Sequence, residues 1–125
     1  MNMEQWRDIK GYQGRYQVSS LGRVKSLERY VRHNYGGLKK VNEKILKPIK
    51  KNNGYVSVWM EGKSINIHRL VAYAFLEDAT GKYEVVEHLN HNKEDNTIDN
   101  LMWSNQFENM KRNVRDGRWN NQYTI

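Results

Sequence analysis

The chain of 125 residues is long enough for one domain with a modest core, or for two very small modules sharing one; at 38% apolar and 28% charged residues it reads as globular but polar, with no apolar run near the ~20 residues of a membrane span. The absence of cysteine excludes disulfides and thiolate zinc sites, leaving His, Asp, Glu and Asn as metal donors and a hard ion such as magnesium as the expected metal. The formal charge of +7 is uneven: residues 1–69 hold 15 Lys and Arg against 5 Asp and Glu, a net of +10, whereas residues 70–125 hold 6 against 9, a net of −3. A basic first half suits a polyanion, and acids gathered in the second half suit a metal site set beside it.

The amino terminus, "MNMEQWRDIK", has neither the apolar core of a secretory signal nor an arginine-rich amphipathic pattern, so a cytoplasmic protein is expected. From there short apolar clusters alternate with glycine turns: Trp6 and Ile9, "GYQG", the strand-like "RYQV", the turn "SSLG", and the strand-like "RVKSL". Over "RVKSLERYV", strand spacing puts Val24, Ser26, Glu28 and Tyr30 on one side and Arg23, Lys25, Leu27 and Arg29 mostly on the other. One face would meet a core and the other phosphate. "RHNYGGLKKVNEK" reads as a long exposed hairpin loop. A second meander follows, with "YVSVWM" and "SINIH" alternating on either side of the turn "EGK".

From Arg69 to Leu76 the period becomes helical, with Leu70, Val71, Ala74 and Phe75 on the face that packs on the sheet. Beyond "EDATGK" come a strand, "YEVVEHL", the loop "NHNKEDNTIDN", a short strand, "LMW", and a helix N-capped by Ser104 and stopped by Gly117. The fold class is α+β: residues 1–66 as an antiparallel sheet carrying the basic, polyanion-facing surface, 67–118 as a linking helix and a ββα unit, and 119–125 as tail.

A ββα unit brings together the end of its first strand, the end of its loop and one face of its helix. Those positions hold Glu87 and His88, then Asn100, then Asn109. Phosphodiester hydrolysis needs a base for water and a divalent ion against the charge of the phosphate. Histidine suits the base because its ordinary pKa, ~6.5, lies near working pH. Glu87 offers an anionic oxygen to the ion and Asn109 a neutral one.

The stretch "VVEHLNHNKEDNTIDNLMWSNQFEN" resembles the HNH, or ββα-metal, motif of phage and intron-encoded homing endonucleases, with no gap in register. His88 falls on the family's general base, Asn92-Lys93 and Asn96 on its loop consensus, Asn100-Leu101 and Trp103 on its second strand, and Asn109 on its helical metal ligand. "EQWRDIKGYQGRYQVSSLGRVKSL" resembles the small modular DNA-binding motif that precedes such domains, and "INIHRLVAYAFL" the helix that links the two. The resemblance spans about residues 4–115. It departs at Glu87, where the family has Asp or Asn, and at Asn90-His91, where it has Asp-Gly.

The resemblance implies an endonuclease of double-stranded DNA with one divalent ion, Mg2+ with Mn2+ as the alternative, no small-molecule cofactor and no membrane partner; one site per chain implies a monomer that nicks one strand, with a dimer as the alternative for cutting both. His88 is the base, Asn100 holds the His88 strand and its imidazole, and Glu87 and Asn109 hold the ion. The alternative is an HNH-fold DNA-binding or regulatory protein whose longer Glu87 side chain spoils the metal site. Arg15, Arg23, Lys25, Arg29, Arg32, Lys39, Lys40, Arg69, Lys111 and Arg112 are the DNA-binding candidates, Arg23, Lys25 and Arg29 being placed to read base edges. Asn92 and Asn96 read as loop-capping residues. His68 reads as structural, and Trp103, Trp59, Val86 and Phe75 as core. A zinc pair of His88 and His91 is disfavoured because a strand and a loop do not aim two imidazoles at one point as a helix does.

Overall fold

The structure, a computed structural model, describes residues 3–76 and 85–104. It opens with an antiparallel meander of β1 (Trp6–Asp8), β2 (Tyr16–Ser19) and β3 (Val24–Ser26). In β2 and β3, Tyr16, Val18, Val24 and Ser26 turn inward while Gln17 and Lys25 face out, as strand alternation requires. The chain then leaves the sheet as a separate hairpin of β4 (Arg29–Arg32) and β5 (Leu38–Val41), and returns as β6 (Lys44–Ile45) to pair with β3. The expected long loop therefore carries the strand β5 and the ends of β4 and β6, and the hairpin turn is confined to residues 33–37, where Gly36 and Gly37 have φ of 96° and 74°.

The alternation expected over residues 23–30 fails beyond Ser26. Leu27 N–H donates to the Arg15 carbonyl at 2.8 Å, the strand ends, and Tyr30 emerges exposed on the hairpin.

A second antiparallel sheet of β7 (Ile49–Lys50), β8 (Val56–Met60) and β9 (Lys63–Asn66) runs directly into α1 (Ile67–Phe75), two residues earlier than the periodicity suggested. Trp59, expected in the core, is 62% exposed: Val58 and Met60, its neighbours on β8, face inward, so alternation turns Trp59 to the other side. Two of the carbonyls at the end of α1 are satisfied from outside the helix. Arg7 Nη1 donates to Ala74 O at 2.8 Å, and Trp103 Nε1 to Leu76 O at 3.0 Å.

The last described unit is the antiparallel pair β10 (Val85–His88) and β11 (Leu101–Ser104), joined by the loop at 89–97 and a short 3-10 turn, Ile98–Asn100. The helix expected after Ser104, with Asn109, Lys111 and Arg112, lies outside the described residues, as does the segment "EDATGK". α1 sits at the centre of the fold. Its Ile67, Leu70, Val71 and Ala72 join Val18 and Val24 from the first sheet, Val58 and Met60 from the second, and Val86, Leu101 and Trp103 from the last pair in one buried cluster. Each such side chain contributes on the order of 1.5–3 kcal/mol on burial. Among the described residues no helix is long and apolar enough to cross a membrane.

Candidate active site

His88 closes β10, opposite Leu101 of β11, and is 8% exposed. Its Nε2 lies 2.7 Å from Asn96 Oδ1. An amide oxygen only accepts, so Nε2 carries the ring proton and Nδ1 the lone pair. Burial holds the imidazole below the usual histidine range, partly countered by the Asn96 bond and by the nearby Asp95 carboxylate. The arrangement is a neutral imidazole with a fixed tautomer.

The sequence assigned Asn96 only a capping role and gave Asn100 the task of holding the imidazole. The geometry divides the work differently. Asn100 Oδ1 accepts from Asn90 N–H at 3.0 Å, and its Nδ2 donates to Asp95 O at 2.8 Å, so Asn100 shapes the loop backbone and Asn96 bonds the ring. Asn92 caps as expected, its Oδ1 accepting from Glu94 N–H at 3.0 Å. The signal that points to Asn96 is chemical: a base that takes a proton on one ring nitrogen needs an acceptor fixing the other.

His68, on the first turn of α1, packs against the candidate base. It is 5% exposed, stacks on Tyr55 at 4.8 Å between ring centres, and lies 5.2 Å from the His88 ring. Its Nδ1 has no hydrogen-bond partner among the described residues. Burial, with the neighbouring cations, pushes its pKa down to about 4, so it is neutral. Lys93 Nζ stands 4.6 Å from the Tyr55 ring centre on the outside of this aromatic group.

Glu87 precedes His88 on β10, opposite Met102, and is 7% exposed. Among the described residues no three His, Asp or Glu side chains converge on one point. Glu87, next to His88 in sequence, offers an anionic oxygen, and with no thiolate in the chain the donor types present suit a hard cation that keeps much of its shell as water and phosphate oxygen better than a closed zinc site.

The basic candidates divide by environment. Arg29 turns inward: its Nη1 donates to Ser26 Oγ and to the Leu27 and Arg15 carbonyls at 2.8–3.2 Å, so it braces the sheet instead of facing out. Arg15 is paired with Glu61 at 2.8 Å and Arg23 with Glu4, each beside an aromatic ring. Lys25 lies over the Trp6 ring at 4.3 Å. Arg32, Lys39 and Lys40 are exposed on the β4–β5 hairpin together with Tyr30, Tyr35 and Leu38. Arg69 is half-buried, with Nη2 donating to Tyr73 OH at 3.3 Å.

Comparison with known proteins bears on both halves. The NUMOD4 motif matches residues 4–59 and the HNH endonuclease family matches residues 66–111. The DNA endonuclease I-HmuI of Bacillus phage SP01 is 35% identical over 123 residues, which cover 93% of this chain and 61% of that protein. An HNH endonuclease of Acanthamoeba polyphaga mimivirus is 33% identical over 97 residues, covering 73% of this chain and 24% of its own. The solved structure of I-HmuI, which concerns DNA binding and cleavage by that HNH homing endonuclease, superposes with a TM-score of 0.73 over 93% of this chain. The chain thus spans about three-fifths of the length of I-HmuI, and a smaller share of the viral relative.

Proposed function

The chain belongs to the HNH endonucleases, residues 66–111 carrying the family segment and 4–59 a NUMOD4 motif, and on that premise we propose that it is a metal-dependent endonuclease that nicks one strand of duplex DNA. The observation that carries the reading is the buried His88 with Nε2 bonded to Asn96 Oδ1 at 2.7 Å, because it leaves Nδ1 as a base of defined direction. His88 Nδ1 takes a proton from water, and the resulting hydroxide attacks phosphorus in line with the 3′ oxygen. The P–O3′ bond breaks, leaving a 5′-phosphate and a 3′-hydroxyl whose proton comes from solvent. A divalent ion, when bound, supplies positive charge against the scissile phosphate and the departing oxygen. Glu87 and Asn109 are the residues that would hold it, with Mg2+ as the ion and Mn2+ as the alternative.

One such centre per chain cuts one strand, which supports nicking by a monomer. The exposed cations of the β4–β5 hairpin, with Lys111 and Arg112, are the contacts proposed for the duplex. Supercoiled plasmid incubated with the protein and Mg2+ or Mn2+ should convert to the nicked circle. His88→Ala should slow that conversion by about 10²-fold or more while DNA affinity stays unchanged. Retention of plasmid binding with no nicking in either metal would instead favour the non-cutting DNA-binding protein that the longer Glu87 side chain suggests. Equal nicking by His88→Ala and the parent would remove His88 from the mechanism.

A further inference from the structure

Asn96 does not stand by itself; the amino-terminal module holds it in place. Ser19, fully buried, accepts on its hydroxyl from Leu21 N–H at 3.2 Å and Arg23 N–H at 3.0 Å, folding "SSLG" into a tight turn that leaves Gly22 at φ +85°. The turn presses on the loop at 89–97. Ile98 N–H donates to Ser20 O at 2.8 Å, and a methyl group at Gly22 would lie 2.9 Å from Asn96 O and 3.0 Å from Asn96 Cβ. Two further struts reach the same loop from residues 50–54: Lys50 pairs with Glu94 at 3.1 Å, and Lys93 Nζ donates to Asn53 O at 2.9 Å.

We propose that Gly22 and its turn are positioning elements for the base: they seat Asn96 against His88, so the imidazole is aligned only when the amino-terminal module is docked on the loop. The inference rests on the nuclease reading for its consequence in catalysis, but its structural part does not. Glycine is required at position 22 for two separable reasons, the left-handed backbone and the approach of Asn96. Gly62 isolates the first, since it has φ +83° and nothing within 4 Å of a built methyl group.

The test uses the full chain with labelled imidazole nitrogens, read by nuclear magnetic resonance above the range in which histidine titrates, alongside plasmid nicking. The parent and Gly62→Ala should both show His88 as one tautomer, protonated on Nε2. Gly22→Ala should show mixed tautomers and nick about 10²-fold more slowly at unchanged plasmid affinity, the scale expected for a base displaced by about an ångström. A folded Gly22→Ala that keeps the parental His88 signature overturns the proposal, whether or not the parent nicks. A displaced signature together with a parent that never nicks upholds the positioning and sinks the nuclease reading. Should Gly22→Ala not fold, Lys93→Met removes a half-buried strut that lies outside the buried apolar cluster. It should broaden the His88 signals and speed amide exchange across residues 90–98, and unchanged signals there count against the proposal.

Discussion

His68 shows what a buried imidazole does to stability. Its neutral form is the one the fold accepts, because burial beside His88, Arg69 and Lys51 penalises a charge, and its pKa falls from 6.5 to about 4. Between those values the unfolded chain binds the extra proton, so stability rises with pH and is lost as pH falls below the unfolded value. Between about pH 7 and pH 5 this one group removes at most about 2 kcal/mol. His88, also held below its ordinary range, acts in the same direction. Urea unfolding at the two pH values should therefore give a smaller difference for His68→Phe than for the parent. An equal difference would show that His68 stays neutral or charged alike in both states.

The loop at 89–97 and the β4–β5 hairpin show how much of each element the sequence could specify. Strand alternation located β3 and β8 because each has one face on the core, and that contrast is local. Side-chain pattern did not tell that Arg29 would turn its guanidinium onto Ser26, Leu27 and Arg15, or that Asn96 rather than Asn100 would meet the ring: the partners are near in sequence, but which of them meet is set by the path of the backbone through the turn and the loop. The loop does carry one readable departure. His91 takes φ 63°, in the left-handed region, at the position where the family has glycine. An L side chain there costs on the order of 1–2 kcal/mol, offset in part by the larger freedom glycine loses on folding. His91→Gly should stabilise the chain by about 0.5–1 kcal/mol, seen as a higher urea midpoint at unchanged slope; a lower midpoint would mean that the contacts of the His91 side chain outweigh the strain.

On the hairpin, exposure redirects the expectation for DNA. Arg29 is occupied within the fold and Arg23 is paired with Glu4, whereas Arg32 and Lys39 are exposed on the ribbon beside Tyr35 and Leu38. Replacing Arg32 and Lys39 together by Ala should weaken duplex binding and flatten the slope of log K against log salt by about 0.9 for each phosphate no longer neutralised. An unchanged slope would place the DNA on another face.

At the scale of the whole molecule, the charge split invites a division at residue 66 or 69, but the packing does not follow it. The first sheet's Val18 and Val24 and the second sheet's Val58 and Met60 share one cluster with Leu70, Val71, Val86, Leu101 and Trp103. A fragment of residues 1–69 keeps the net charge of +10 but is without most of the α1 face and all of the last strand pair. The bonds of Ser20 with Ile98, Lys50 with Glu94 and Asn53 with Lys93 go as well. Removing five large core side chains, with Ala72 besides, at about 1.5–3 kcal/mol for each large one is comparable to the whole margin of roughly 5–15 kcal/mol by which a domain is ordinarily stable. The fragment should therefore lack a cooperative thermal transition and show collapsed amide dispersion. Its remaining affinity for DNA should be weak, steeply salt-dependent and indifferent to sequence, as expected of an unfolded polycation. A cooperatively folding fragment with the parent's affinity would show that the amino-terminal module carries its own core, and that its docking on the loop at 89–97 is dispensable for its fold.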